Sequence, residues 1–176
     1  FAEYQLTFGS LSANAGLRYE HVVSDYYEQG AWQKGPSRRY SDWFPSLSLA
    51  WHKGKWGLQG SYVYKTKRPS YGMLSNEVQY DNRYFYEGGN PYLRPEMVKG
   101  LSLMASYAWL SAEVGHEYTK DVMLWTATLY NGQDIGFSRN LNFDSFQYLY
   151  ASVVASPKFG FYQPTYELNF SRQHLD

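Results

Sequence analysis

"LSANAGLRYE", residues 11–20, alternates apolar and polar side chains over its whole length. The first set is Leu11, Ala13, Ala15, Leu17 and Tyr19. The second set is Ser12, Asn14, Gly16, Arg18 and Glu20. Successive side chains of a β-strand point to opposite faces, whereas a helix would scatter both sets around its circumference. The stretch therefore predicts a strand with one apolar and one polar face.

The same alternation recurs along the rest of the chain. The further segments are Pro45–Trp51, Trp56–Lys65, Leu101–Trp109, Val114–Thr119 and Tyr162–Phe170. In Phe146–Ala155 both faces carry apolar side chains, so the pattern alone does not assign its sides. With a strand before Gly9, these segments predict an all-β fold, an antiparallel up-and-down meander of about eight strands.

The predicted connections differ in length in a regular order. The short ones are Gly9-Ser10, His52–Lys55, Leu110-Ser111 and Ser156–Lys158, and the long ones are Ser24–Ser41, Thr66–Met97 and Lys120–Asp144. Short and long connections alternate, and alternate connections of a meander lie at the same end of the sheet. This polarity is typical of a transmembrane β-barrel with short periplasmic turns and long extracellular loops.

Aromatic residues make up 20% of the 176 residues, with 19 Tyr, 10 Phe and 6 Trp. Tyr and Trp combine an apolar body with a polar group, which suits the boundary between hydrocarbon and water. Five aromatic residues lie beside predicted short turns: Phe8, Trp51, Trp56, Trp109 and Phe159. We expect them to form the lower of two interfacial girdles. No apolar run is long enough for a transmembrane helix or a signal peptide.

Composition and motifs give no support to catalysis or nucleic-acid binding. The chain has no cysteine, and its 16 basic residues balance 16 acidic ones. The four histidines are scattered, and no phosphate-binding, dinucleotide-binding or nucleophile motif occurs. Glu113 and Glu117 share a polar strand face, which a hydrated wall explains better than a hydrolase pair. We therefore expect no enzyme, no catalytic residue, no metal site and no cofactor.

One segment carries a more specific pattern. Arg68-Pro69-Ser70-Tyr71 is followed by Gly89-Asn90-Pro91-Tyr92-Leu93-Arg94-Pro95-Glu96. It resembles the R-P-x-Y…G-N-P-x-L-x-P-E signature of TonB-dependent outer-membrane receptor barrels, in the branch typical of Bacteroidetes. The resemblance covers Tyr40–Asp121, including a strand opening at Phe44–Leu49 and a strand-to-loop exit at Thr119–Asp121. The matching positions are Arg68, Pro69, Tyr71, Gly89, Asn90, Pro91, Leu93, Pro95 and Glu96.

The motif has a physical interpretation of its own. Pro91 and Pro95 bias the residues before them toward extended backbone and remove two N–H donors. Gly88 and Gly89 allow a tight reversal just ahead of them. The motif is therefore interpreted as a device that aims the chain back into a strand near Met97, rather than as a binding site.

The resemblance implies an importer in the outer membrane that takes up siderophore-bound iron, cobalamin or glycan fragments. Such barrels have about 22 strands around a plug. We expect residues 1–176 to be a single segment of the barrel without the plug domain. The implied partners are outer-membrane lipid, a small-molecule nutrient, and the plug domain and TonB complex through the full-length protein.

Two groups of side chains are candidates for contact with a plug or a substrate. The expected lumen-facing group is Arg18, Glu20, Gln59, Lys65, Glu113 and Glu117. The loop aromatic residues are Tyr80, Tyr84, Tyr86 and Trp125. Stacking on a ligand and packing within a folded loop both remain open for these rings.

Two other folds compete with the importer segment. One is a complete eight-strand outer-membrane barrel acting as an adhesin or anchor, and the other is a soluble carbohydrate-binding sandwich or lipocalin-like barrel. Accessible side chains at Leu17, Leu49, Leu58 and Leu103 would indicate a lipid-facing wall. An isolated segment is expected to self-associate through its edges or its apolar face.

Overall fold

The computed structural model describes all residues, Phe1–Asp176, as ten β-strands without a helix. The strands are β1 Ala2–Phe8, β2 Leu11–Glu28, β3 Ala31–Lys53, β4 Trp56–Lys67, β5 Val78–Asn82, β6 Phe85–Gly88, β7 Glu96–Tyr107, β8 Leu110–Leu129, β9 Gly136–Ala155 and β10 Tyr166–Leu175. No helix of a length and apolarity suited to crossing a membrane is present.

All ten strands belong to one sheet in the order β1-β2-β3-β4-β7-β8-β9-β6-β5, and β10 also pairs with β9. The eight long strands pair antiparallel with their neighbours in chain order. The predicted all-β meander of about eight strands is therefore confirmed. The two extra strands, β5 and β6, form a short hairpin inside the connection from β4 to β7. β1 and β10 do not pair, so the curled sheet stays open.

Two of the three predicted long loops are mostly strand. β2 and β3 continue to a tight turn at Gln29-Gly30, where both residues have positive φ. β8 and β9 likewise continue to a turn at residues 130–135. The prediction of two long loops was wrong. The alternation of apolar and polar side chains ends where the lipid ends, whereas backbone pairing between the strands continues beyond it.

Two short connections also differ from the prediction. The third turn lies at Ala108-Trp109 instead of Leu110-Ser111, and Ala108 has a φ of 54°. The fourth connection extends from 156 to 165, so β10 begins at Tyr166 and not at Tyr162. Phe159 and Tyr162 pair with each other inside that connection, with N–O distances of 2.7 and 3.0 Å. Local backbone pairing, which the side-chain pattern does not report, sets these boundaries.

The apolar side chains lie on the outer, convex face of the sheet. Leu17, Leu49, Leu58 and Leu103 are 42%, 45%, 47% and 55% exposed. Only 14 of 176 residues are buried, so the apolar faces do not form the core that a soluble sandwich requires. The soluble alternative is therefore wrong.

The register assigns the faces of β9, which the sequence left open. Tyr148 and Tyr150 lie opposite Glu117 and Gly115 on the polar face. Leu149 lies opposite His116, and Val153 opposite Ala112, on the apolar face. Gly115 has no side chain because the Tyr150 ring occupies that space. The Tyr150 hydroxyl donates a hydrogen bond to Glu113 at 3.1 Å.

Aromatic pairs mark both edges of the apolar band. Tyr19 and Trp43 have ring centroids 4.7 Å apart at the upper edge. Trp56 and Tyr107 have centroids 4.5 Å apart at the lower edge. From Leu11 to Tyr19 the strand advances about 26 Å at 3.3 Å per residue. With the tilt of about 35–45° that barrel strands have, this stretch spans about 20 Å, most of an apolar band about 25 Å tall.

Arginine at Leu103 should destabilise the folded barrel, whereas arginine at the neighbouring Met104 should not. Leu103 pairs with Val114 on the apolar face, and Met104 pairs with Glu113 on the polar face. A lipid-facing arginine near the middle of the bilayer costs about 2–4 kcal/mol. Urea unfolding of the full-length protein in bilayers, followed by the gel mobility of unheated samples, measures the difference. Equal destabilisation by L103R and M104R would contradict the assigned faces.

Candidate functional site

The connection between β4 and β7 lies across the polar face at the outer end of the sheet, opposite the short turns. β6 pairs in parallel with β9, which is three strands from β4 in the sheet. To reach β9 the chain must cross β7 and β8. Its first contact is the ion pair of Arg68 with Glu20, which lies on the polar face of β2. We call residues 68–95 the crossing segment.

An ionic cluster holds the start of the crossing segment. The Arg68 guanidinium pairs with the carboxylate of Glu20, which also pairs with Arg18 at 2.9 Å. Arg18 and Glu20 were predicted to face the lumen, and Arg68 belongs to the family motif. The structure brings all three together, and their ion pairs join the barrel wall to the crossing segment.

The middle of the motif is held by Asn90. Its backbone N–H donates to the Met73 carbonyl at 2.7 Å, and its side-chain amide donates to the Asn140 carbonyl at 3.1 Å. The side-chain oxygen accepts from the Tyr92 N–H at 3.1 Å. Leu93 follows, 1% exposed and the most deeply buried large side chain of the protein. Asn90 therefore anchors the motif onto β9.

Arg94 is clamped between β8 and β9. The Asn142 side chain accepts from the Arg94 N–H at 2.8 Å and donates to its carbonyl at 3.0 Å. The Arg94 guanidinium pairs with Asp121 at 2.6 Å, and Asn142 also donates to the Asp121 carbonyl at 2.7 Å. Asp121 has a φ of 56° and lies inside β8. The predicted strand-to-loop exit at Thr119–Asp121 is therefore wrong, because the strand continues beyond this left-handed residue.

The last motif residue, Glu96, is 4% exposed. One carboxylate oxygen accepts the Met123 N–H at 2.7 Å, and the other pairs with Lys67 at 3.3 Å. A buried carboxylate needs such partners, because losing its hydration is costly. Glu96 therefore links the first residue of β7 to both neighbouring strands.

Gly88 and Gly89 act through close approach and not through an unusual backbone conformation. Neither has a positive φ. A Cβ at Gly89 would collide with the carbonyl oxygens of Ser75, Met73 and Gly72. A Cβ at Gly88 would lie 2.8 Å from the Phe137 ring. The predicted tight reversal is thus a tight packing of two chain segments.

The prolines of the motif border a groove of about 570 Å³ between the crossing segment and the β2–β3 hairpin. Pro69, Pro91 and Pro95 line one side, and Tyr40 lies on the other. Burial raises the pKa of Tyr40 above its ordinary value, so its phenol stays neutral. Tyr71 also lines the groove, but its side chain is largely exposed.

The loop aromatic residues divide into two groups. Tyr80 and Tyr86 have ring centroids 5.6 Å apart, and Tyr86 packs edge-on to Tyr130 at 5.0 Å. These rings attach the β5–β6 hairpin to the β8–β9 turn. Tyr84 instead lies under the Arg83 guanidinium at 4.7 Å and is exposed. None of these three tyrosines lines the pocket that contains Trp125.

Trp125 lines a pocket of about 480 Å³ between the crossing segment and β8–β9. The indole is 54% exposed, and Asn140 lies opposite it in the strand register. Gln79 and Glu87, also a cross-strand pair, line the pocket from the β5–β6 hairpin, together with Glu77. No side chain of these three hairpin residues has a protein hydrogen bond or ion pair. The pocket thus combines a free aromatic face with free polar groups.

The other predicted lumen-facing residues lie on the wall below the crossing segment. Gln59 lies opposite Met104, and Lys65 opposite Val98, on the polar face. Glu117 lies beside Gly100, and Glu113 accepts the Tyr150 hydrogen bond. Sequence reasoning missed Asn142 and Asp121 as clamps, because no local pattern marks an asparagine whose partner is 48 residues away.

Replacing Asn142 by alanine should loosen the motif. The Arg94 N–H and the carbonyls of Arg94 and Asp121 would lose their partner, and a typical hydrogen bond contributes about 0.5–1.5 kcal/mol. We expect faster hydrogen exchange at residues 90–96 in the full-length protein. Asn140→Ala is the matched control, because the contact of Asn140 with Asn90 uses only its backbone carbonyl. Equal exchange in the two variants would contradict the clamp.

Gly89→Ala should displace the crossing segment without unfolding the barrel. The added methyl group has no space among the carbonyls of residues 72–75. Trypsin should therefore cut faster after Arg83, while the strands remain resistant. Gly72→Ala serves as the control, since a Cβ there meets nothing within 4 Å. Unchanged cleavage in Gly89→Ala would show that the close approach is not needed.

Several solved structures share this fold. The copper transporter OprC matches with a TM-score of 0.71 and 15% identity over 98% of this chain and 28% of its own. The iron transporter FrpB of Neisseria meningitidis (F5-1 variant) matches at 0.64 and 14% identity, over 98% and 25%. The hemophore receptor HasR of Serratia marcescens, a double mutant in complex with HasA and heme, matches at 0.60 and 14% identity, over 96% and 32%.

The chain spans between a quarter and a third of the length of these three structures. A sequence search among curated proteins finds no match. A model of the outer membrane protein β-barrel family matches residues 1–174. The resemblance drawn from the motif is thereby confirmed, and so is the outer-membrane location. With its lipid-facing leucines and open, curled sheet, the chain belongs to the outer membrane protein β-barrel family.

Proposed function

We propose that this chain forms part of the wall and outer vestibule of a TonB-dependent receptor that imports a scarce nutrient. The observation that carries the proposal is the crossing segment. It is fixed to β2 through Arg68, to β8 through Arg94 and to β9 through Asn90. A segment held at three points across a polar wall supports a rigid entrance for a ligand.

Residues 1–176 are, in this proposal, one contiguous segment of a larger closed barrel. The open edges at β1 and at β10 support it, because an exposed strand edge demands a partner. The plug domain and the segment that contacts TonB would belong to the remainder of the full-length protein. An isolated segment would self-associate through the same edges.

The polar wall suits contact with a plug. Its central row consists of small residues, including Ser48, Ser61, Ser102 and Gly115. The Ser61 and Ser102 hydroxyls hydrogen-bond to each other at 2.8 Å. Small side chains leave the lumen wide, and Gln59, Lys65 and Glu117 remain available beside them for polar contacts.

The vestibule favours a neutral polar ligand such as a glycan fragment. Arg68 and Arg94 are paired with carboxylates, and the Arg38 guanidinium donates to the carbonyls of Gly35 and Tyr92. The unpaired charges of the Trp125 pocket are instead Glu77 and Glu87. They disfavour anionic iron chelates, whereas an indole face with amides and carboxylates suits a sugar ring and its hydroxyls.

Trp125→Ala in the full-length receptor tests the proposal. Uptake of labelled oligosaccharides, ferric siderophores and cobalamin is measured in cells with and without a protonophore. We expect energy-dependent uptake of oligosaccharide by the wild type. In the variant the half-saturation concentration should be at least about tenfold higher, which corresponds to a loss of about 1.4 kcal/mol of binding free energy.

Trp32→Ala is the matched control, because Trp32 is an exposed outer tryptophan that does not line the pocket. Absence of energy-dependent uptake for every compound would overturn the importer. Uptake of a siderophore or cobalamin alone would overturn the glycan assignment and leave the importer standing.

A further inference from the structure

Four basic side chains occupy two adjacent rows of the apolar face near its upper edge on β7 to β10. They are Lys99, His116, Arg172 and His174. In the register, Leu101 lies opposite His116, which lies opposite Leu149, which lies opposite Arg172. These residues therefore share one row of the lipid-facing side.

The next row toward the outer end continues the pattern. Lys99 lies opposite Tyr118, which lies opposite Gln147, which lies opposite His174. All four basic residues are exposed. We call them the basic strip.

Acidic residues of the same strands lie on the other face. Glu113, Glu117 and Glu167 belong to the polar rows. Lys99 and Arg172 have no carboxylate partner, and within the strip only His174 has one, Asp176 at 3.0 Å. The Lys99 ammonium lies over the Tyr64 ring at 5.5 Å. The strip therefore presents uncompensated positive charge toward the membrane.

The position of the strip decides its energetics. The row below it contains Leu103, Val114, Ala151 and Phe170 and is wholly apolar. A lipid-facing Lys or Arg costs about 2–4 kcal/mol at the midplane and about 0–1 kcal/mol near the interface. Long basic side chains extend their charged ends to the interface. The strip therefore lies where acyl chains give way to headgroups.

We propose that the basic strip binds the phosphate groups of a phosphorylated lipid in the outer leaflet of the membrane. Neighbouring strands are about 4.8 Å apart, so the backbones at His116 and Arg172 are about 10 Å apart. Their side chains can converge on one phosphate, and Lys99 can reach an adjacent one. Leu149, between His116 and Arg172, and Leu101, on the other side of His116, provide the apolar surface that an acyl chain requires.

The upper edge elsewhere shows that the strip is local. On β2 and β3 the edge is marked by Tyr19 and Trp43, and the basic residues beyond it on the same face, His21 and Arg39, lie in separate rows. Aromatic rings tolerate any headgroup, whereas guanidinium and ammonium groups select phosphate. The clustering of four basic residues in two adjacent rows is thus a feature of β7–β10, and it does not depend on the nutrient that the barrel imports.

Binding of diphosphorylated lipid A to the full-length protein in detergent tests the proposal. Native mass spectrometry compares it with enzymatically dephosphorylated lipid A. We expect the wild type to prefer the phosphorylated lipid, and the double variant Lys99→Gln, Arg172→Gln to bind it at least about tenfold more weakly. The conservative Lys99→Arg, Arg172→Lys variant should retain binding.

Lys53→Gln, Lys55→Gln is the matched control, since it removes two charges at the lower turn. It should bind like the wild type. Unheated gel mobility confirms folding of each variant. Equal affinity of the wild type for both lipids, or wild-type affinity in the glutamine double variant, would overturn the proposal.

Discussion

Backbone pairing inside a hydrocarbon layer is the constraint on which this structure depends. No water is available there, so each N–H and C=O group must find its partner in a neighbouring strand. The chain responds with long antiparallel strands whose side chains alternate between lipid and lumen. Leu103 and Met104 are neighbours in sequence, yet Leu103 faces lipid and Met104 faces the lumen. The scarcity of buried residues follows directly, because both faces of the sheet are meant to be covered by something other than this sheet.

Above the aromatic edge the constraint relaxes, and globular packing replaces alternation. Most of the buried side chains collect here, among them Leu93, Glu96, Val98, Met123 and Phe137. The crossing segment is held by side-chain amides and carboxylates acting on backbone groups, a strategy suited to a loop that has no strand partner of its own. Its prolines and close-packed glycines limit its freedom. A firmly held entrance with one exposed tryptophan suits the capture of a small polar ligand.

The charges follow the same division between solvents. Inside the curl, Arg18 and Arg68 share the carboxylate of Glu20, and Arg94 pairs with Asp121. On the outer wall of β7–β10, Lys99 and Arg172 have no carboxylate partner. The two proposed ligands would therefore be separated by the sheet itself, with a nutrient on the concave side and a phosphorylated lipid on the convex side.

The amino-acid pattern alone identified the eight long strands and, except in β9, the chemical nature of their faces, because a period of two is a local property. It also determined the family, through the spacing of Arg68, Asn90 and Glu96. It did not reveal how far β2, β3, β8 and β9 extend, since strand pairing persists where both faces meet water. Nor did it reveal the roles of Asn142 and Asp121. Only the tertiary structure decided those, because their partners lie on distant strands that meet after the crossing segment has folded over the sheet.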